Sequence, residues 1–116
     1  MAAPAPGSAE ITPEETQQAL ADGSALLVDV REDYEWEAGR IDGAEHIELM
    51  QLPARAQDLP QDRTVIFVCR VGGRSGMAAD ALRGAGFDAR TMVGGMVRWD
   101  AEGRPLVPEG GTVAPH

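Results

Sequence analysis

Val65-Ile66-Phe67-Val68-Cys69-Arg70-Val71-Gly72-Gly73-Arg74-Ser75-Gly76 is the stretch that decides the fold. Its apolar start, rich in β-branched and aromatic side chains, reads as a strand buried on both faces. Cys69, the only cysteine of the chain, sits at the expected end of that strand. A glycine-rich loop with two arginines follows, and then Met77, Ala78, Ala81, Leu82 and Ala85 recur at the spacing of a helix packed on a sheet. This order puts a polarizable nucleophile outside the carboxyl end of a strand, where open α/β sheets keep their chemistry.

The same alternation continues on both sides. Thr12-Pro13-Glu14-Glu15 combines a cap residue, a proline at the first helical position and a capping-box glutamate, so a helix runs from there to about Asp22-Gly23. Ala25 to Val30 reads as a buried central strand, and Ala44 to Ile47 as a short one. Glu32 to Gly39 is acidic and aromatic and reads as an irregular or single-turn segment. Leu49 to Leu59 is weakly helical and interrupted by Pro53. Gly86 suits the end of the helix after the loop, Ala89 to Val93 reads as a strand, and Met96 to Ala101 as a last short helix. Alternating strands and helices with short connections imply a mostly parallel sheet covered on both faces. One domain is expected over residues 8–108, with flexible tails at 1–7 and 109–116.

Composition narrows the function classes. At 116 residues there is room for one core, and no apolar run approaches the length of a membrane span. The first nine residues lack a basic start and a leucine-rich stretch, so they read as a flexible leader instead of a secretory signal. A net charge of −9 disfavours extended nucleic-acid binding. One cysteine and two scattered histidines argue against a disulfide framework or a structural zinc site; no metal and no cofactor are expected. A retained free thiol suits a reducing compartment, so a cytoplasmic location is expected. The charge is uneven: residues 1–62 hold 14 acids and 3 arginines, residues 63–116 hold 5 acids and 7 arginines. The half that carries Cys69 is locally basic.

Only a thiolate is a good nucleophile, so a reactive cysteine needs surroundings that favour its anion. Gly72 and Gly73 let the loop curl so that its N–H groups converge as a nest at a helix start. Arg74 occupies a helical first turn, where the dipole opposes a cation, and residues 70–76 contain no acid. A chain that obeys capping rules at Thr12 and breaks them here marks a functional site, read as a cradle for a small anion or an anionic sulfur species. Blander readings stand beside each residue. A free cysteine is often a small buried hydrophobe. Arg70 reads alternatively as a solvated surface residue, Arg74 as the partner of an acid such as Asp29 or Glu32, Ser75 as a helix cap, and His46 as a strand residue.

Cys69-Arg70-Val71-Gly72-Gly73-Arg74-Ser75 resembles the active-site loop of single-domain rhodanese-like sulfurtransferases. Asp29-Val30-Arg31-Glu32 resembles the D-V-R-E segment of that family, Gly39-Arg40-Ile41-Asp42-Gly43-Ala44 with Ile47 its G-H-I-x-G-A stretch, and Gly94-Gly95-Met96-Val97-Arg98-Trp99 its terminal G-G-x-x-x-W. Arg40 departs from the pattern, where histidine is frequent. The four matches run in the expected order over nearly the whole chain. The resemblance implies a five-stranded α/β domain and transfer of a sulfane sulfur through a Cys69 persulfide. Arg70, Val71, Gly72, Gly73, Arg74 and Ser75 would then bind the substrate, with both arginines attracting an anionic donor such as thiosulfate. Asp29 and Arg31, at family positions near the site, would be ion-pairing residues that hold the loop and not an acid or base. The acceptor would be cyanide, a thiol or a protein partner. Two rivals remain at this point: a non-catalytic or partner-dependent interaction module, and a cysteine phosphatase or arsenate reductase. The latter use C-x5-R, whereas only four residues separate Cys69 from Arg74.

Overall fold

A computed structural model describes residues 9–116. Five strands form one sheet in the order β1-β5-β4-β2-β3: β1 (Glu10–Ile11), β2 (Ala25–Asp29), β3 (Glu45–His46), β4 (Thr64–Val68) and β5 (Ala89–Met92). Every pairing is parallel, so each return of the chain must cross a face of the sheet. The helices that do so are α1 (Pro13–Asp22), α2 (Asp33–Ala38), α3 (Leu52–Arg55, flanked by 3-10 turns), α4 (Gly73–Gly84) and α5 (Gly95–Ala101).

Right-handed crossovers dictate which face each helix covers. The step from β1 to β2 runs one way along the sheet, and the steps from β3 to β4 and β4 to β5 run the other way. Consequently α1 and α3–α4 lie on opposite faces. The core divides accordingly. Val28, Val30, Ile47, Leu52, Val65, Phe67, Cys69, Ala78, Ala79 and Leu82 pack on the α3–α4 face. Ile11, Ala25, Leu27, Ile41, Ile66, Val68, Met92, Met96 and Trp99 pack on the other. Neighbouring β2 and β4 send their following segments in different directions, which opens the crevice at their carboxyl ends that such sheets use for ligands.

Local chemistry explains the element ends. Thr12 Oγ1 accepts the Glu15 amide at 3.1 Å while Glu15 accepts the Thr12 amide at 2.9 Å, the reciprocal capping box expected for α1. Pro53 falls in the first turn of α3, where its missing N–H costs nothing, so the proline that looked like an interruption is part of the helix.

Three expectations are corrected. Glu32–Gly39, expected as irregular or a single turn, holds a longer helix of six residues, Asp33–Ala38, and Glu35 reaches back to accept the Glu32 amide at 3.1 Å. β4, expected to end on Cys69, stops at Val68, and Cys69 begins the loop. Residues 109–116, expected as a flexible tail, are laid against α2: the Thr112 amide donates to the Ala38 carbonyl at 2.8 Å, the Tyr34 hydroxyl to the Pro115 carbonyl at 3.2 Å, and Val113 packs on the core. The expected N-terminal tail, 1–7, lies outside the described residues.

The start of α5 is built around the loop after β4. Gly95 has φ +57°, and a Cβ on it would sit 2.5 Å from the carbonyl oxygens of both Cys69 and Arg70. Trp99, one turn on, is buried and donates its indole N–H to the Pro105 carbonyl at 2.8 Å. Gly23 shares a left-handed backbone, φ +75°, but has open space around it. Gly23→Ala is therefore expected to cost about 1 kcal/mol, the left-handed penalty alone. Gly95→Ala adds a backbone collision and is expected to cost well over 2 kcal/mol, read as the fall in urea-unfolding free energy. Equal losses in the two variants would contradict this account of the close approach.

Candidate active site

Cys69 is 1% exposed and lies at the mouth of the β2–β4 crevice. Its Sγ accepts the Gly72 amide at 3.1 Å and the Ser75 amide at 3.4 Å. Gly72 can present its N–H because it adopts φ +120°, open to glycine and strained for other residues. Ser75 stands in the first turn of the twelve-residue α4, so the sulfur faces the positive end of the helix dipole. Ser75 is fully buried, and its Oγ lies 3.4 Å from Sγ, with the thiol as donor, and 3.3 Å from the Gly72 carbonyl. The Cys69 and Arg70 carbonyls are bound by the Met96 and Val97 amides of α5, at 2.9 and 3.0 Å. With its carbonyls tied there, the loop has amides left for the sulfur.

The two loop arginines have different surroundings. Arg74 makes a forked ion pair with Glu35 of α2, Nη1 to Oε1 at 2.7 Å and Nη2 to Oε2 at 2.9 Å. The Glu35 side chain is fully buried. Burial is the largest influence on Glu35 and pushes its carboxyl up, but hydrogen bonds from Arg74 and the Glu32 amide, with the charge of Arg74, outweigh it and hold the group below its ordinary 4.5. The same hydrogen bonds to Glu35 raise Arg74 above its ordinary value, with burial opposing. Arg70 makes no ion pair among the described residues, and its Nε is buried without a hydrogen-bond partner. The expected acid for Arg74 was Asp29 or Glu32; the structure supplies Glu35.

Asp29 and Arg31 do pair, with Nη2 to Oδ2 at 2.7 Å and Nε to Oδ1 at 2.9 Å, both side chains buried. Strand alternation, however, puts Asp29 on the face of Ala25 and Leu27, away from the side where Cys69 packs with Val28 and Val30. Arg31 Nη2 also donates to the Gly39 carbonyl at 2.8 Å, while its Nη1 is buried without a hydrogen-bond partner. The pair thus ties β2 to the end of α2 on the sheet face opposite the side chain of Cys69. His46 is a strand residue: it stacks on Trp36 at 4.7 Å and its Nε2 donates to the Arg31 carbonyl at 2.6 Å. Val71 is exposed within the loop. An open cleft of about 270 Å³ adjoins the site, lined by Val30, Glu32, Glu48, Leu49, Met50 and Arg74. Glu32, Glu35 and His116 bring ligand-type atoms within 4.8 Å of one another, and the Glu35 carboxylate is at the same time forked to Arg74.

Two site residues were absent from the sequence reading. Glu35 had a legible signal, the Glu32-x-x-Glu35 spacing of a helix start. Thr91, whose Oγ1 lies 2.7 Å from Ser75 Oγ, had none, since only the pairing of β5 beside β4 brings it there.

The Arg74–Glu35 pair has a pH signature. A carboxyl lowered in the fold contributes stability that is full above the unfolded value near 4.5 and is lost as pH falls through the lower folded value. Glu35→Gln is expected to cost on the order of 3 kcal/mol at pH 7, and the gap to the unsubstituted protein is expected to narrow below pH 4.5. A gap that stays constant on acidification would contradict the pair's role.

Comparison with known proteins gives this geometry its context. The family model described as "Rhodanese-like domain" matches residues 12–102. "Probable adenylyltransferase/sulfurtransferase MoeZ" of Mycobacterium tuberculosis is 41% identical over 108 residues, covering 90% of this chain but only 28% of MoeZ. A sulfurtransferase of Allochromatium vinosum is 38% identical over 104 residues, covering 87% of this chain and 97% of that protein. The crystal structure of a rhodanese-related protein from Thermoplasma volcanium superposes with a TM-score of 0.80 at 26% identity, over 86% of this chain and 98% of the other. The crevice position of Cys69, the amide cradle and these likenesses agree, and the chain belongs to the rhodanese-like domain family.

Proposed function

We propose that this protein is a sulfurtransferase that carries a sulfane sulfur on Cys69. The observation that supports the reading best is the convergence of the Gly72 and Ser75 amides on a buried sulfur at the start of α4. Such a cradle offers hydrogen-bond donors to an anionic sulfur carried there. Names of relatives carry sulfur transfer in general; the donor, the acceptor and the intermediate are our reading.

In the first half-reaction the Cys69 thiolate attacks the outer sulfur of thiosulfate or a similar donor. A Cys–S bond forms, the sulfur–sulfur bond to sulfite breaks, and sulfite leaves with the bonding electron pair. In the second half-reaction an acceptor such as cyanide attacks the outer sulfur of the persulfide, thiocyanate leaves, and the thiolate returns. No external oxidant or reductant is needed. Cys69 is almost wholly enclosed, so a donor or acceptor with a slim, unhindered terminal atom reaches it best. The short C-x4-R loop leaves room for a sulfur atom and argues against a tetrahedral phosphate.

The two arginines divide the work. Arg74 is neutralised by Glu35, so it braces α4 against α2 and adds little net positive charge. Arg70 follows Cys69 in the chain and makes no ion pair among the described residues, and it is the residue we assign to attracting the donor's anionic end. Thiocyanate formation from thiosulfate and cyanide tests both claims. Cys69→Ser is expected to abolish it. Arg70→Ala is expected to raise the KM for thiosulfate about tenfold or more while leaving the KM for cyanide nearly unchanged. Activity surviving in Cys69→Ser would overturn the reading, and an unchanged thiosulfate KM in Arg70→Ala would overturn the assignment of Arg70.

A further inference from the structure

The Ser75 hydroxyl has more neighbours than one proton can serve. Its oxygen lies 3.4 Å from Cys69 Sγ, 3.3 Å from the Gly72 carbonyl and 2.7 Å from Thr91 Oγ1. A hydroxyl donates once and accepts through two lone pairs. While Cys69 is a thiol, its S–H donates to Ser75 Oγ, and the Ser75 proton is free for the Gly72 carbonyl or for Thr91. When the thiol proton is lost to water, Sγ becomes an acceptor only, joining the Gly72 and Ser75 amides with a demand for the Ser75 proton. Turning that proton onto the sulfur leaves Ser75 Oγ without a donor. Among the described residues, Thr91 is the hydroxyl within hydrogen-bond reach that fills the gap.

We propose that Thr91 is a positioning residue of the sulfur cradle: its hydroxyl donates to Ser75 Oγ and thereby aims the Ser75 proton at the Cys69 thiolate. Ser75 is fully buried, and Thr91 is half-buried on β5, paired in register with Phe67 of β4. The support therefore comes from the sheet and not from the loop itself, which suits a group that must hold an angle. The chain Thr91–Ser75–Sγ is cooperative, because a hydroxyl that receives a hydrogen bond donates a stronger one. The effect has a definite sign. Without the Thr91 hydroxyl the thiol state loses one partner of Ser75 Oγ but keeps the thiol as its donor, whereas in the thiolate state Ser75 Oγ is left with no donor, so removal disfavours the anion more than the thiol.

The inference rests on the reading of Cys69 as the reacting thiolate, but its test needs no sulfur donor. Cys69 is the only cysteine, so the rate of iodoacetamide alkylation against pH reports on it alone. Thr91→Val is expected to move the midpoint of that profile upward by roughly half to one pH unit, and Thr91→Ser to restore it. In a Ser75→Ala background, Thr91→Val is expected to move nothing further. Should the valine variant fold poorly, Thr91→Ala carries the same expectation. An unmoved midpoint, or an equal shift with and without the Ser75 hydroxyl, would overturn the proposal. Absence of sulfur transfer from the unsubstituted protein, with the alkylation result intact, would instead count against the reading of Cys69.

Discussion

Two amide hydrogen bonds from the start of α5, Met96 to the Cys69 carbonyl and Val97 to the Arg70 carbonyl, are the constraint on which the site depends. Held by their carbonyls, the first two loop residues can turn only one way, and the amides that follow close on the sulfur. The contact requires two backbones to meet without a side chain between them, which is why Gly95 stands at that point. Trp99 buries itself one turn later and fixes the helix against the α1 face of the sheet. A terminal motif some 25 residues beyond the cysteine (about seven helical turns of chain) thus belongs to the cradle as much as the loop does.

The second constraint is electrostatic. Arg74 sits where a helix dipole repels a cation, and α4 itself offers no acid in that turn. Glu35 supplies the missing charge from α2, within a fork that fixes both side chains. The positive charge of the loop is thereby reduced to Arg70. Helix α2 is in turn held by the Arg31 bond to the Gly39 carbonyl and by the chain from Val107 to Thr112, whose backbone pairs with Arg40 and Ala38. Residues far from the sulfur act on it through this sequence of contacts.

Much of the fold was legible because its signals are local. The apolar run before Cys69, the capping box at Thr12 and the periodicity after Ser75 each specify an element without reference to anything distant. What escaped the sequence reading is what depends on tertiary neighbours. Glu32–Gly39 lacks apolar periodicity and looked irregular, yet it is helical because its buried face is a carboxylate paired with Arg74. Asp29 and Arg31 were legible as charged residues of the site's surroundings, but their pairing with each other and the face of the sheet they occupy follow from where β2 ends. The chain after Pro108 has the composition of a free tail and is held instead by backbone bonds to α2, which composition does not reveal. Thr91 reaches the site only through strand order.

The central claim is that Cys69 itself carries the transferred sulfur. Intact-mass measurement after exposure to thiosulfate tests it most directly, because the chain has a single cysteine to modify. The account predicts a gain of one sulfur atom in the unsubstituted protein, removed by cyanide and absent from Cys69→Ser. A protein whose mass does not change with thiosulfate, polysulfide or any other sulfane donor, or an adduct that persists in Cys69→Ser, would contradict it.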